Sequence, residues 1–193
     1  MPADLAHGER MSAAAYLAWE REQTDRHEFL DGEVLAMAGG SPRHNLLGLA
    51  VGSELRLATR GGPCRVFSSD QRIVAREGEH YVYADASMVC AAIELSPGTS
   101  DVLANPAVLV EVLSASTEAY DRGRKWDGYQ QIASLTDYLL VSQQSAHVEH
   151  YQRGTSGAWT YRVATAGGRV TLTNGAVLEI DAIYAGAFDL DGD

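Results

Sequence analysis

The sequence predicts an α/β fold, one domain built around a central sheet. Three observations predict it. The run Ala107-Val108-Leu109-Val110-Glu111-Val112-Leu113, bounded by Pro106 and Ser114, has the length and composition of a buried strand. Leu47, Val51, Leu55 and Ala58 recur at helical spacing, which predicts a long amphipathic helix from His44 to about Thr59. The patterns then follow one another as helix, hairpin, helix, several strands, helix and strands, with no repeat and no dividing linker.

The elements can be justified in order. Ser12 is a good N-cap for a short helix from Ala13 to about Arg21 that carries Tyr16 and Leu17. His27–Leu30 and Glu33–Met37 read as a hairpin, because Asp31-Gly32 supplies the positive φ angles of a tight turn. Ser41 caps the long helix and Pro42 suits its first position; Gly61-Gly62-Pro63 ends it. Cys64–Phe67, Gln71–Ala75 and the stretch Tyr81–Val89 read as strands, and Glu94–Asn105 as a loop. After the Glu111 strand, Thr117 is the expected cap of a helix from Glu118 to about Ile132. Tyr138–Ser142, Val148–Arg153, Trp159–Val163, Val170–Thr173 and Val177–Ile180 are the last strands, and residues 189–193 an acidic, frayed tail.

A chain of 193 residues with 46% hydrophobic and 21% charged residues suits one soluble domain. Its formal charge is −11, from 15 basic and 26 acidic residues. That argues against a broadly basic nucleic-acid surface and leaves room for a local basic groove. Met1–Arg10 has no apolar core of a signal peptide, and no run approaches the roughly 18 apolar residues of a membrane span. A cytoplasmic protein without membrane contact is expected. Cys64 and Cys90 form neither C-x-x-C nor a zinc spacing with histidine, so they are expected as buried free thiols in a reducing compartment.

Glu111 is the residue that points to chemistry. A carboxylate in an apolar strand is costly unless a cation, a metal or a lysine, compensates it. Asp85 ends the Tyr81–Ala84 stretch, and Lys125 lies on the helix after the Glu111 strand. Two carboxylates from neighbouring strands can hold a hard divalent cation such as Mg²⁺, with the Val112 carbonyl as a third oxygen. A nearby lysine can orient water and stabilise negative charge on a phosphate. The bland readings are a solvated edge-strand glutamate, a turn aspartate, and a lysine paired with Asp121 one turn away.

The pattern resembles the PD-(D/E)XK nuclease superfamily, and more closely the Uma family of putative restriction endonucleases. The resemblance runs from about Met11 to Tyr184 and rests on several segments in order. These are Arg26–Glu33, Gly39–Asn45, Tyr83-Ala84-Asp85, Val110–Thr117, Tyr120–Lys125, Ser134–Val141 and Val148–Arg153. It implies a restriction-endonuclease-like mixed central sheet flanked by helices, with additional C-terminal strands and a core of about residues 11–184. It further implies a Mg²⁺- or Mn²⁺-dependent endonuclease hydrolysing DNA phosphodiester bonds. Asp85, Glu111 and the Val112 carbonyl would hold the metal, Lys125 would position water, and Glu28 would support the site. Two positions depart from the pattern. Ala84 stands where a proline usually precedes the metal aspartate, and Leu113 stands where the superfamily motif has its lysine, which Lys125 replaces from the helix.

Other residues carry a functional and a structural reading side by side. Glu28 supports the metal site or is a solvated strand residue. His44 contacts phosphate, donates to Glu28, or serves the start of its helix locally. Arg122 and Arg124 extend Lys125 into a small basic patch for a phosphate backbone. Asp70 is a third acid or a turn residue, and Trp126 and Tyr129 stack on a base or fill the core. A different class of function also fits the acidic surface: a non-catalytic dimeric interaction protein that keeps the nuclease fold. A homodimer is expected in either case, with Tyr151, Trp159 and Tyr161 on the later strands as its interface.

Overall fold

The computed structural model describes residues 10–37 and 39–189. The acidic tail expected at 189–193 therefore lies almost wholly outside the described residues. Helix α1 spans Ala13–Glu20, and the Ser12 hydroxyl accepts the Ala15 N–H as its cap. Strands β1 (His27–Leu30) and β2 (Glu33–Ala36) form the expected hairpin, with Asp31 at φ 51° and Gly32 at φ 93°. Helix α2 spans Pro42–Ala58; Ser41 caps it by accepting the His44 N–H. Strands β3 (Arg65–Ser68), β4 (Arg72–Arg76), β5 (His80–Tyr83), β6 (Ala86–Val89), β7 (Val102–Leu103) and β8 (Val108–Leu113) follow.

The next helix, α3, changes register twice. It is α-helical over Glu118–Tyr120, π-helical over Asp121–Lys125 and α-helical again over Trp126–Tyr129. Strands β9 (Asp137–Ser142), β10 (His147–Arg153), β11 (Trp159–Thr165), β12 (Arg169–Thr171) and β13 (Val177–Glu179) precede a final short helix, α4 (Ile180–Ile183).

The strands form two sheets and a separate β12–β13 ribbon, a mixed α/β arrangement as expected. The first sheet has the order β2-β1-β5-β4-β7, the second β11-β10-β9-β8-β6-β3. The predicted strand Tyr81–Val89 is accordingly two strands. The chain pairs with β1 and β4 through β5, leaves that sheet at Ala84-Asp85, and joins the second sheet as β6. The expected loop Glu94–Asn105 contains the short strand β7, which pairs in parallel with β4.

Strand β8 is buried along its whole length, as a strand with a parallel neighbour should be. Val108, Val110 and Val112 pack with Leu47, Val51 and Leu55 of α2. Leu109 and Leu113 point to the opposite face, against Tyr129, Leu135 and Tyr138. By the two-residue period of a strand, Glu111 shares this second face with Leu109 and Leu113. A third cluster seats α1 on the first sheet through Tyr16, Phe29 and Tyr81.

Two further expectations are corrected. Cys64 and Cys90 are joined in a disulfide and are not free thiols. Arg65 pairs with Val89 across β3 and β6, so the residues just outside that pair, 64 and 90, face each other. Thr117 makes no side-chain cap of α3; the Ser114 hydroxyl accepts the Thr117 N–H instead.

Candidate active site

Strand β8 carries Glu111 to a cavity of about 580 Å³ whose wall also includes Glu28, Asp85, Asp121 and Lys125. Each arrives on a different element. Glu28 comes from β1 of the first sheet, Asp85 from the crossing between sheets, and Asp121 and Lys125 from the π turn of α3. The π turn sits where the helix delivers its charged residues, a common place for this irregularity.

Lys125 is the hub. Its Nζ lies 2.9 Å from Glu28 Oε1 and 3.6 Å from Asp121 Oδ1, and donates to Glu111 Oε1 at 3.1 Å and to the Tyr83 carbonyl at 3.2 Å. Glu111 Oε1 also accepts the Tyr129 hydroxyl at 2.6 Å. Glu28 Oε1 accepts the Tyr83 N–H, which ties the carboxylate to the end of β5. With the Lys125 side chain only 6% exposed, its three protons are committed to protein oxygens. Leu113, on the same face of β8 as Glu111, is enclosed by the second core cluster. The lysine that reaches Glu111 comes from the helix.

The charges do not balance. Burial, and then the neighbouring carboxylates Asp121, Asp85 and Glu28, raise the Glu111 pKa well above the usual glutamate range, against the pull of Lys125. Asp121 is likewise raised by burial against Lys125. For Lys125 burial acts to lower the pKa, but Glu111, Glu28 and Asp121 prevail and hold it well above the usual lysine value. Three carboxylates, Glu28, Glu111 and Asp121, thus share one lysine, with Asp85 across the cavity.

Asp85 occupies the other side of the cavity. Its Oδ2 accepts the Val112 N–H at 2.7 Å, just beyond the last residue of β8 that pairs with β6. His44 Nε2 lies 3.4 Å from the same oxygen. The His44 pKa is raised by Asp85, against burial, with the Val112 main chain adding to the effect. Within the protein His44 meets Asp85 in place of Glu28, its expected carboxylate partner.

The donor set suits a hard divalent cation. Asp85 Oδ1 and Glu111 Oε2 accept no hydrogen bond among the described residues, so each carboxylate keeps one oxygen for a ligand. No three His, Cys, Asp or Glu side chains among the described residues form a ready-made cage. Two carboxylates and the Val112 carbonyl would share the ion with water, which is how Mg²⁺ is usually held.

The remaining candidates are elsewhere engaged. Arg122 grips Glu149 with two N–H groups at 2.7 and 2.6 Å and gives its Nε to Glu118. Arg124 lies 3.6 Å from Glu33. The residues of the expected basic patch Arg122-Arg124-Lys125 are therefore each paired with acids of their own helix or of neighbouring strands. Asp70 is exposed and pairs with Arg26 away from the cavity. Trp126 stacks on Tyr138 and meets the edge of Trp159, and Tyr129 is fully buried, so both are core residues. Sequence reasoning missed what Tyr129 does with its hydroxyl and the part of the Tyr83 main chain. The only signal for Tyr129 was its place one helical turn beyond Lys125.

Comparison with known proteins matches residues 13–182 to the Uma2 family model, described as putative restriction endonuclease. The chain is 34% identical over 178 residues to uncharacterized protein slr1290 of Synechocystis, covering 92% of this chain and 93% of that one. It is 33% identical over 149 residues to uncharacterized protein sll1609 of the same organism, covering 77% and 84%. Its fold is shared with a solved structure described as a putative nuclease belonging to DUF820 from Anabaena variabilis. The TM-score is 0.75 and the identity 14%, over 92% of this chain and 99% of that one.

Proposed function

We infer, for a chain that belongs to the Uma2 family, that this cavity is the active site of a Mg²⁺- or Mn²⁺-dependent endonuclease acting on DNA. One observation carries the reading. Glu28, Glu111 and Asp121 gather around a single lysine with Asp85 across the same cavity, and Asp85 and Glu111 each keep an oxygen free. That surplus of negative charge and hard oxygen is what a divalent cation answers. Bound there, the ion would supply Lewis-acid polarisation of a phosphate and an acidified water.

The protein's own residues divide the rest of the work. Asp85, Glu111 and the Val112 carbonyl hold the ion. Glu28 shares Lys125 with Glu111 and so supports the ligand from the first sheet. Lys125 fixes Glu111 by a charge-assisted hydrogen bond, and its charge favours an anionic phosphate at the cavity wall. To orient the attacking water it must release one of its three present acceptors. His44, held on Asp85, stands where the cavity meets solvent and a substrate phosphate.

The test is nicking of supercoiled plasmid in Mg²⁺ or Mn²⁺ by wild type and Glu111→Ala. Cleavage by wild type that falls at least a hundredfold in the variant supports the reading. No metal-dependent cleavage by pure wild-type protein across plasmid, linear duplex and single-stranded DNA overturns it.

A second reading has its own observation. Lys125 already ties Glu28, Glu111 and Asp121 together, so the cluster holds as a structural ion-pair network in a protein of net charge −11. On that reading the chain is a non-catalytic interaction protein. Calorimetric titration with Mn²⁺ separates the two: binding that disappears in Asp85→Asn favours the nuclease, and no binding at millimolar Mn²⁺ favours the scaffold.

Either protein acts as a homodimer in this proposal, in the cytoplasm. The supporting feature is β11, whose outer edge pairs with no strand of its sheet and which leaves Tyr161 and Val163 exposed. Light scattering on the eluted protein should give twice the chain mass; a clean monomer at micromolar concentration sinks the dimer. No helix among the described residues is long and apolar enough to cross a membrane.

A further inference from the structure

The active-site cavity does not end at Asp85. A second cavity, of about 390 Å³, shares His44 and Asp85 with it and runs along α2. A third, of about 400 Å³, shares Arg56 and Val66 with the second and continues past the end of the helix to Arg60 and Arg65. The three form one continuous depression from the carboxylate cluster to a group of three exposed arginines.

These arginines differ from those that pair with carboxylates. Arg21 and Arg72 answer Asp101, Arg122 answers Glu149, and Arg26 answers Asp70. Arg56 and Arg60 have no side-chain hydrogen bond or ion pair among the described residues. Arg65 donates one N–H group to the carbonyls of Gly62, Pro63 and Cys64, and meets no carboxylate. In a chain of net charge −11, three uncompensated guanidinium groups at one end of a groove are a local reversal of sign.

The floor of the groove is bare. His44, Gly48, Gly52 and Arg56 recur every four residues along α2, and Arg60 follows just past its end, so this line leads from the active site to the arginines. A methyl group at Gly48 or Gly52 would meet Asp85 or Ala86 at 3.9 or 3.8 Å, an ordinary contact. Glycine costs about 1 kcal/mol against alanine inside a helix, so packing gives no reason for either one. Their effect is to keep the depression open. His44 and Arg56 are about 18 Å apart along the axis at about 1.5 Å per residue. A stacked strand carries a phosphate about every 3.4 Å, so this interval spans about five phosphates.

We propose that Arg56, Arg60 and Arg65 form an anchoring site for the phosphates of a DNA strand, about five nucleotides from the phosphate presented to Asp85 and Glu111. The site deepens the nuclease reading and rests on it for the identity of the strand. Guanidinium groups suit phosphate oxygens because their planar N–H fork can bond two at once. A strand laid along α2 would pass Gly48 and Gly52 with its backbone close to the helix.

The test is fluorescence anisotropy of a labelled 20-nucleotide single strand and its duplex in EDTA, where metal-dependent cutting is silent. Wild type is compared with Arg56→Ala/Arg60→Ala across a salt series, with a circular dichroism melt to confirm that the exposed substitutions leave the fold intact. The expected result is at least a tenfold rise in Kd. The slope of log K against log salt should fall by about 1.4 for the single strand, at about 0.7 per lost phosphate contact. An unchanged Kd and slope, or no binding of either DNA by wild type at low salt, overturns the anchoring site. Plasmid nicking in Mg²⁺ or Mn²⁺ runs alongside. Cleavage with arginine-independent binding sinks the anchor and leaves the nuclease. Arginine-dependent binding with no cleavage by wild type sinks the nuclease and leaves a strand-binding groove.

Discussion

Lys125 meets Glu28, Glu111 and Asp121 where almost no solvent reaches to share their charge. Removing a buried ion-pair partner is worse than never having had the pair, because the partners stay charged and uncompensated. Lys125→Met should therefore destabilise the protein by about 3–5 kcal/mol, read from urea unfolding. Adding Glu111→Gln to it should recover part of the loss, since one stranded charge is gone; a double variant no more stable than the single would refute the coupling. His80 offers a pH-dependent counterpart. It is 1% exposed, and burial, followed by the positive charge of Lys125, lowers its pKa to about 4. Between that value and the ordinary 6.5, the unfolded chain binds a proton that the folded chain refuses. Stability should hold above about pH 6.5, decline through the window and level off below about 4 as far as His80 is concerned. The loss at pH 5 should be on the order of 2 kcal/mol. His80→Gln should remove that share of the slope between pH 7 and 5 in paired urea titrations, and an unaltered slope would count against a neutral buried imidazole.

At the scale of elements, α3 is held to the first sheet by a contact that admits no side chain. A Cβ on Gly128 would run into His80 Nδ1 and lie 3.3 Å from the Ala75 Cβ. Gly128→Ala should thus cost about 1–3 kcal/mol despite alanine's better helix propensity, and the melting temperature should drop. A rise would show that α3 can move away from β5. The same helix marks the limit of what sequence alone discloses. The Asp31-Gly32 hairpin and the Ser41-Pro42 helix start are written in residues that touch each other along the chain, and both are where local chemistry puts them. The division of Tyr81–Val89 between two sheets is decided by β1 and β4 on one side and by β3 and β8 on the other, so no local pattern announces it. The disulfide follows from the β3–β6 register, a pairing across 26 positions that cysteine spacing does not encode. The site was half legible for the same reason. A carboxylate in an apolar strand declares itself, but the arginines that look like a basic patch beside Lys125 also pair with Glu149 and Glu33, which arrive from distant elements.

For the whole molecule, the Cys64–Cys90 bridge joins the start of β3 to the end of β6, at the margin of the second sheet. Asn174, beside the β12–β13 ribbon, reaches both sulfurs, at 3.6 and 3.5 Å, so the ribbon docks on the bridge. Closing a 26-residue separation restricts the unfolded chain by about 3.5 kcal/mol on the chain-entropy model. Reduction with dithiothreitol should lower the urea midpoint accordingly while leaving the first sheet's far-ultraviolet signal in place. A midpoint indifferent to reductant would mean that the bridge contributes nothing to stability.

The passage of the chain from β5 to β6 has a mechanical meaning as well. Glu28 is mounted on one sheet, Glu111 on the other, and Asp85 on the joint between them. The spacing of the three carboxylates is therefore a gauge of how the two sheets are set. A substitution deep between the sheets, touching none of the three, would shift that spacing. The fold and the site are in that sense calibrated against each other, and wear in one would be read first in the other.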